Sequence, residues 1–198
     1  MTRTTQALAL DATTQFLDRP GGRIAYGVAG EGPLVVAVPG MGDLRSAYRA
    51  VAPSLVDAGY RVATMDLRGH GDSDTTFDAF DGVAAGSDII ALIEALGGGP
   101  AVIIGNSMAA GSAVWAAAEK PDLVAGLVLT GPFVRNAPVG RLAELSFRLA
   151  LLRPWGPRSW NAWYARLYTG RQPDDLDAHR ARIRESLARP GRWDAFIR

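Results

Sequence analysis

A chain of 198 residues, 48% hydrophobic and 21% charged, is long enough to bury a single core and has the balance of an ordinary globular domain. A net charge of +1 leaves no broad basic field for nucleic acid, and the lack of cysteine excludes disulfides, thiolate zinc sites and cysteine nucleophiles. Because His70 and His179 are the two histidines, a histidine-rich metal site is not expected, and neither a metal nor a cofactor is called for.

Residues 1–14 lack the basic start and long apolar stretch of a signal peptide. No apolar run approaches the ~18 residues of a membrane span, so the default expectation is a cytoplasmic protein without a membrane partner. Gln15–Arg19 and Arg23–Ala29, separated by Pro20-Gly21-Gly22, predict an antiparallel hairpin. Continuous apolar runs at Leu34–Val38 and Ala101–Ile104 suit strands buried on both faces of a parallel sheet, and Arg61–Leu67 and Gly126–Thr130 read similarly. Between them, Leu44–Ala58, Gly82–Leu96 and Met108–Glu119 are each long enough for a helix. Ile89, Leu92, Ile93 and Leu96 fall on one helical face. The expected class is therefore α/β, with a mostly parallel sheet flanked by helices.

Beyond Pro138 no strand-like run occurs. Leu142, Leu145, Leu149 and Leu152 predict an amphipathic helix, broken by Pro154-Trp155-Gly156-Pro157. Two or three further helices carry Trp160, Trp163, Tyr164, Ile183 and Leu187. Trp155, Trp160, Trp163 and Tyr164 are expected to pack together rather than line a substrate pocket, and the dense arginines to form a solvated surface.

The strongest chemical signal is Gly105-Asn106-Ser107-Met108-Ala109, directly after one predicted strand and directly before a helix. A serine on such a turn exposes its hydroxyl above the carboxyl ends of the strands, and the tight backbone requires small neighbours. The alternative is a serine that merely caps a helix. Two further segments bear on the choice. Pro39-Gly40-Met41-Gly42 follows a strand and allows main-chain N–H groups to face an anion. Asp66-Leu67-Arg68-Gly69-His70-Gly71-Asp72-Ser73 ends the next strand, with His70 locked between glycines in what reads as a structural turn.

In their order and strand context these three motifs resemble the α/β-hydrolase fold family over about residues 13–198. The resemblance implies Ser107 as nucleophile, with the backbone N–H groups of Met41 and Met108 forming an oxyanion hole. It divides the chain into a hydrolase core at residues 1–133, running through the sixth strand, and a helical cap at residues 134–198. The first motif carries Pro39 where the family frequently has histidine.

A serine alcohol needs a general base and an orienting acid, which in this fold follow the nucleophile along the chain. His179 lies in a charge-rich stretch, Asp174–Leu187, that reads as an exposed helix, and Gly131-Pro132-Phe133 offers no carboxylate. The acid and histidine are therefore expected beyond Arg198. The 198 residues would then be an N-terminal part with a truncated cap and without the C-terminal strands, inactive by itself. The expected activity is hydrolysis of an ester or similar small acyl or carbon–carbon substrate. A cofactor-free haloperoxidase-like reaction at the same serine and a non-catalytic ligand-binding protein on the same scaffold remain open. A nucleotide-binding fold is disfavoured, because Gly97-Gly98-Gly99 precedes a strand instead of opening a helix.

Overall fold

The computed structural model describes residues 13–132, 140–170 and 172–197. A two-residue turn at Pro20-Gly21, with Gly21 at φ +90°, joins β1 (Gln15–Arg19) to β2 (Gly22–Ala29) as the expected hairpin. The chain continues through β3 (Leu34–Val38), α1 (Val51–Asp57), β4 (Arg61–Met65), α2 (Gly82–Leu96), β5 (Ala101–Asn106), α3 (Met108–Glu119) and β6 (Val124–Thr130). The six strands form one sheet in the order β1-β2-β4-β3-β5-β6. The first two pairings are antiparallel, and β4-β3-β5-β6 is parallel throughout. The sheet is thus mixed, with the parallel part carrying the buried runs.

Burial explains the register. Val36, Val38, Met65 and Ile103 pack against Ile89, Leu92 and Ile93 of α2 and Ala109, Ala113 and Ala116 of α3. Val35 and Val62 face the opposite way and pack with Ala52 of α1. Fully apolar β3 is buried at every position, as its uninterrupted Leu-Val-Val-Ala-Val demands. The single helix expected over Leu44–Ala58 is instead a 3₁₀ turn at Arg45–Tyr48 followed by α1. Pro53 accounts for the break: it has no N–H for the Arg49 carbonyl, so it is tolerated only in the first turn of a new helix.

No described residue after β6 is in a strand. Among the described residues four helices follow: α4 (Arg141–Ala150), α5 (Gly156–Ala165), α6 (Leu176–Ala188) and α7 (Arg192–Phe196). The expected core–cap junction at 133/134 lies outside the described residues. Trp160 and Tyr164 of α5, Leu176, Ile183 and Leu187 of α6, and Trp193 and Phe196 of α7 form a second core, against which Met41 and Leu44 pack. Trp155 and Trp163, expected to join this core, are exposed. The leucines of α4 are exposed as well, Leu142 at 81%.

Two expectations for this region are corrected. The Asp174–Leu187 stretch is not a solvated helix: Leu176, His179, Ile183 and Leu187 form a buried stripe, and His179 is 0% exposed. Nor do all the arginines face solvent alone, since Arg189 donates to the Gly71 carbonyl and the half-buried Arg192 to that of Ser73.

Where α2 crosses α3, Gly86 leaves room for the Trp115 ring, and a Cβ there would lie 3.0 Å from the Ser112 carbonyl oxygen. We expect Gly86→Ala to lower unfolding free energy by about 1–3 kcal/mol despite alanine's better helix propensity, because the obstruction includes rigid backbone. Urea denaturation checks this.

Candidate active site

Ser107 stands between β5 and α3 at φ +55° and ψ −119°, the one non-glycine residue with positive φ among those described. Such a conformation costs about 1–3 kcal/mol and persists only where the surroundings impose it. They do so by close approach. A Cβ on Gly105 would lie 2.6 Å from the Ala109 oxygen and 2.8 Å from the Ala110 Cα, so α3 begins almost against the strand. Ser107 N–H donates to the Thr130 carbonyl at 2.9 Å, tying the turn to the end of β6. Ser107 is half-buried, and its side chain forms no capping bond to α3. The helix-cap explanation for this serine therefore lacks the bond that defines it.

The loop after β3 meets this turn directly. A Cβ on Gly40 would lie 3.0 Å from the Ser107 Cβ, which only glycine avoids without displacement. Met41 follows Gly40, and Met108 is the first residue of α3, where backbone N–H groups have no partner within the helix. Met41 and Met108 line one cavity of about 200 Å³, together with Leu67, His70, Phe80 and Phe196. Met41 and Met108 thus share a cavity, and Gly40 brings the Met41 loop against Ser107 beside it.

The Asp66–Ser73 turn is a frame for this loop. Asp66 is fully buried and accepts from the Arg45 N–H at 2.7 Å, from the Arg45 guanidinium and from the Asp72 N–H at 3.1 Å. Gly71, at φ +51°, leaves the space that the Asp66 carboxylate occupies. Ser73 Oγ donates to the Asp66 carbonyl and accepts from the Ala25 N–H, both at 2.9 Å. His70 is held at both nitrogens: Nδ1 lies 2.8 Å from the Arg68 carbonyl, and Nε2 lies 2.8 Å from the Gly42 amide nitrogen. Since the carbonyl can only accept and the amide can only donate, His70 is neutral with its proton on Nδ1. It is a structural residue that fixes the loop.

His179, expected on the surface, is bonded to Asp43 Oδ1 through Nε2 at 2.8 Å and lies 3.4 Å from Ser46 Oγ through Nδ1. Asp43 Oδ2 accepts from the Tyr164 hydroxyl at 2.8 Å, and burial and the Asp43 charge both push the Tyr164 pKa upward. Asp43 and Ser46 were not singled out from the sequence, Tyr164 was read only as a packing aromatic, and His179 was placed on an exposed helix. The one local signal was the spacing of His179 within the Leu176–Ile183–Leu187 stripe. Ser46, His179 and Asp43 have the composition of a serine relay, but the imidazole is wholly enclosed and the serine is 7% exposed. Among the described residues no cluster of three or more His, Asp or Glu side chains is arranged to hold a metal ion.

Residues 33–192 match the alpha/beta hydrolase fold family. The chain belongs to that family. Among curated relatives, a 2-hydroxy-6-oxo-6-phenylhexa-2,4-dienoate hydrolase of Comamonas testosteroni is 37% identical over 114 residues, 55% of this chain and 40% of that protein. An sn-1-specific diacylglycerol lipase of Mus musculus is 35% identical over 109 residues, 54% of this chain and 34% of the relative. The chain thus spans about two fifths or less of these relatives. Among solved structures, an alpha/beta hydrolase fold protein from Burkholderia ambifaria superposes with a TM-score of 0.76 at 22% identity, over 92% of this chain and 68% of that one. The unliganded epoxide hydrolase CorEH gives 0.75 at 22%, over 93% and 71%. No described helix is long and apolar enough to cross a membrane.

Burial holds the His70 pKa below its ordinary 6.5, outweighing the hydrogen bond to Arg68 and the nearby Asp66. The unfolded chain therefore binds this proton more readily, and stability that is full above pH 6.5 should fall as pH drops below it. We expect unfolding free energy to decline between about pH 6.5 and 5, and His70→Gln to flatten that part of the profile. Asp72 and Asp175, whose pKa values are lowered by Arg45 and Arg49 contacts against the opposing effect of burial, lose their contributions only below 3.8.

Proposed function

We propose that this family member is a serine hydrolase acting on an ester or a similar small acyl or carbon–carbon substrate, with Ser107 as nucleophile. The observation that carries this reading is the positive φ of Ser107 on a turn forced by the close approach of β5 and α3. A left-handed serine costs stability, and chemistry that needs an outward hydroxyl is a reason to retain it. In this reading Ser107 Oγ attacks the substrate carbonyl, giving up its proton to a base as the carbon–oxygen bond forms. The backbone N–H groups of Met41 and Met108 receive the charge on the carbonyl oxygen, the leaving group departs with a proton, and water then cleaves the acyl-enzyme.

Neither histidine of this chain suits the role of base. Both nitrogens of His70 are engaged by backbone groups, and both nitrogens of His179 face Asp43 and Ser46. We therefore assign the base and its orienting acid to residues outside these 198, which on their own would not turn substrate over. The helices α4–α7 take the place of a cap over the site, with the 200 Å³ cavity as part of an apolar substrate pocket. The carbon–carbon option is supported by the named reaction of the Comamonas relative.

Fluorophosphonate labelling of the protein, extended to the length of its relatives, tests the nucleophile. Labelling should fall on Ser107, and Ser107→Ala should lower ester turnover by about a thousandfold or more while leaving the melting temperature unchanged. Turnover above about a tenth of wild type would return Ser107 to a helix cap.

Gly40→Val should lower kcat while leaving KM within about twofold, since the new side chain presses on Ser107 and shifts donors that matter once charge develops. A rise in KM with unchanged kcat would remove Pro39–Gly42 from the catalytic machinery.

A further inference from the structure

The loop that carries Met41 is held from the side opposite Ser107 by groups belonging to the C-terminal helices. Asp43 is the centre of that attachment. Its Oδ1 accepts from the Leu44 N–H at 2.7 Å and from His179 Nε2 of α6 at 2.8 Å, while its Oδ2 accepts from the Tyr164 hydroxyl of α5 at 2.8 Å. Its side chain is 13% exposed. A largely buried carboxylate satisfied by three donors has little freedom, because each lost bond leaves a charged acceptor desolvated. Tyr164 is in turn steadied by the Tyr168 hydroxyl at 3.2 Å.

One residue earlier, Gly42 is gripped on both its polar groups. Its N–H donates to His70 Nε2 at 2.8 Å, and its carbonyl accepts from Trp160 Nε1 at 3.4 Å. The Trp160 ring lies so close over Gly42 that any Cβ there would overlap it. On the other side of Met41, Gly40 touches Ser107, and its carbonyl accepts from the Asp43 N–H at 3.1 Å. The Met41 peptide is therefore clamped between a contact with Ser107 and a polar cluster owned mostly by α5 and α6.

We propose that Asp43 is a positioning residue that, through Tyr164 and His179, makes the docking of the C-terminal helices set the orientation of the Met41 backbone donor. The proposal rests on the assignment of Met41 to the oxyanion hole. His179 acts here as a bridge, with Nε2–H given to Asp43 and Nδ1 facing the Ser46 hydroxyl, so its buried imidazole serves positioning and not proton transfer. Arg49 supplies an internal control. It pairs with both oxygens of Asp175 just before α6, at 2.5 and 2.6 Å, and so ties the same helices to the core without touching Asp43.

The test is hydrogen–deuterium exchange of the 198-residue chain, followed in peptides covering Pro39–Leu44, β5 and α6, for wild type, Tyr164→Phe, Asp43→Ala and Arg49→Ala. Tyr164→Phe and Asp43→Ala should each accelerate exchange in Pro39–Leu44 by about tenfold or more, with β5 at wild-type rates and Arg49→Ala affecting α6 alone. If Asp43→Ala fails to fold, Tyr164→Phe, which keeps the ring, decides alone. Wild-type exchange in the loop of Tyr164→Phe, or equal acceleration in Arg49→Ala, would overturn the proposal. In the extended protein, both variants should lower the limiting rate of Ser107 phosphonylation by about tenfold while the half-saturating probe concentration stays within about twofold. Ser107-dependent labelling with unchanged kinetics in both variants would remove the positioning role. Labelling that persists in Ser107→Ala would instead remove the nucleophile assignment, leaving the exchange result to judge the loop.

Discussion

Gly105 has no side chain, and α3 begins against the backbone where one would stand, with the Ala109 oxygen 2.6 Å from the place of its missing Cβ. The chain has one residue, Ser107, between the strand and a helix lying almost upon it. A turn that short cannot be made with negative φ at every position, and the left-handed residue is Ser107. The cost is borne by the packing of Ala109, Ala113 and Ala116 against the sheet, where each small residue lets the helix sit close. Gly40 extends the same constraint, because its loop can approach Ser107 only without a Cβ. Close backbone approach thus accounts for the strained serine and for the placement of Met41 near Met108.

Buried charge frames this arrangement. Asp66 with Arg45, and Asp88 with Arg19 and Arg68, place fully buried carboxylates against guanidinium groups at the ends of strands and turns. Such pairs add little net stability relative to apolar packing, but losing one partner is costly, so they discriminate strongly against other loop conformations. Asp66 takes two backbone N–H groups besides the arginine, and this is how the Asp66–Ser73 turn is closed. His70 then hands the geometry of that turn on to Gly42.

Much of this was legible in the sequence, for physical reasons. Strands buried on both faces must be uninterrupted apolar runs, so β3 and β5 declared themselves, and glycines at forced approaches marked the turns around Ser107. The limits of β4 were overrun by two residues, because Asp66 and Leu67 continue an apolar-looking run while the Asp66 side chain already closes the next turn. The α6 stripe was hidden for a different reason. Asp174–Leu187 is rich in charge, and charge count outweighed the spacing of Leu176, Ile183 and Leu187, with His179 occupying a position where an apolar residue would have completed the pattern. The pairing of His179 with Asp43 spans 136 residues and has no local signature at all.

Apart from the Arg49–Asp175 pair, the described polar attachments of the C-terminal helices fall mainly on two segments, and both flank Ser107's surroundings. Arg189 and Arg192 donate to carbonyls of the Asp66–Ser73 turn, while Trp160, Tyr164 and His179 reach the loop containing Gly42 and Asp43. Met41 and Leu44 also pack into the apolar core formed by Trp160, Ile183 and Trp193. A layer that only covered a pocket could be fastened anywhere along the sheet edge. Fastened here, its displacement would cost the bonds that fix the loop and the turn together, since those bonds have their donors on one side and their acceptors on the other. Displacing the helical layer therefore carries the cost of loosening the loop and the turn that stand beside Ser107.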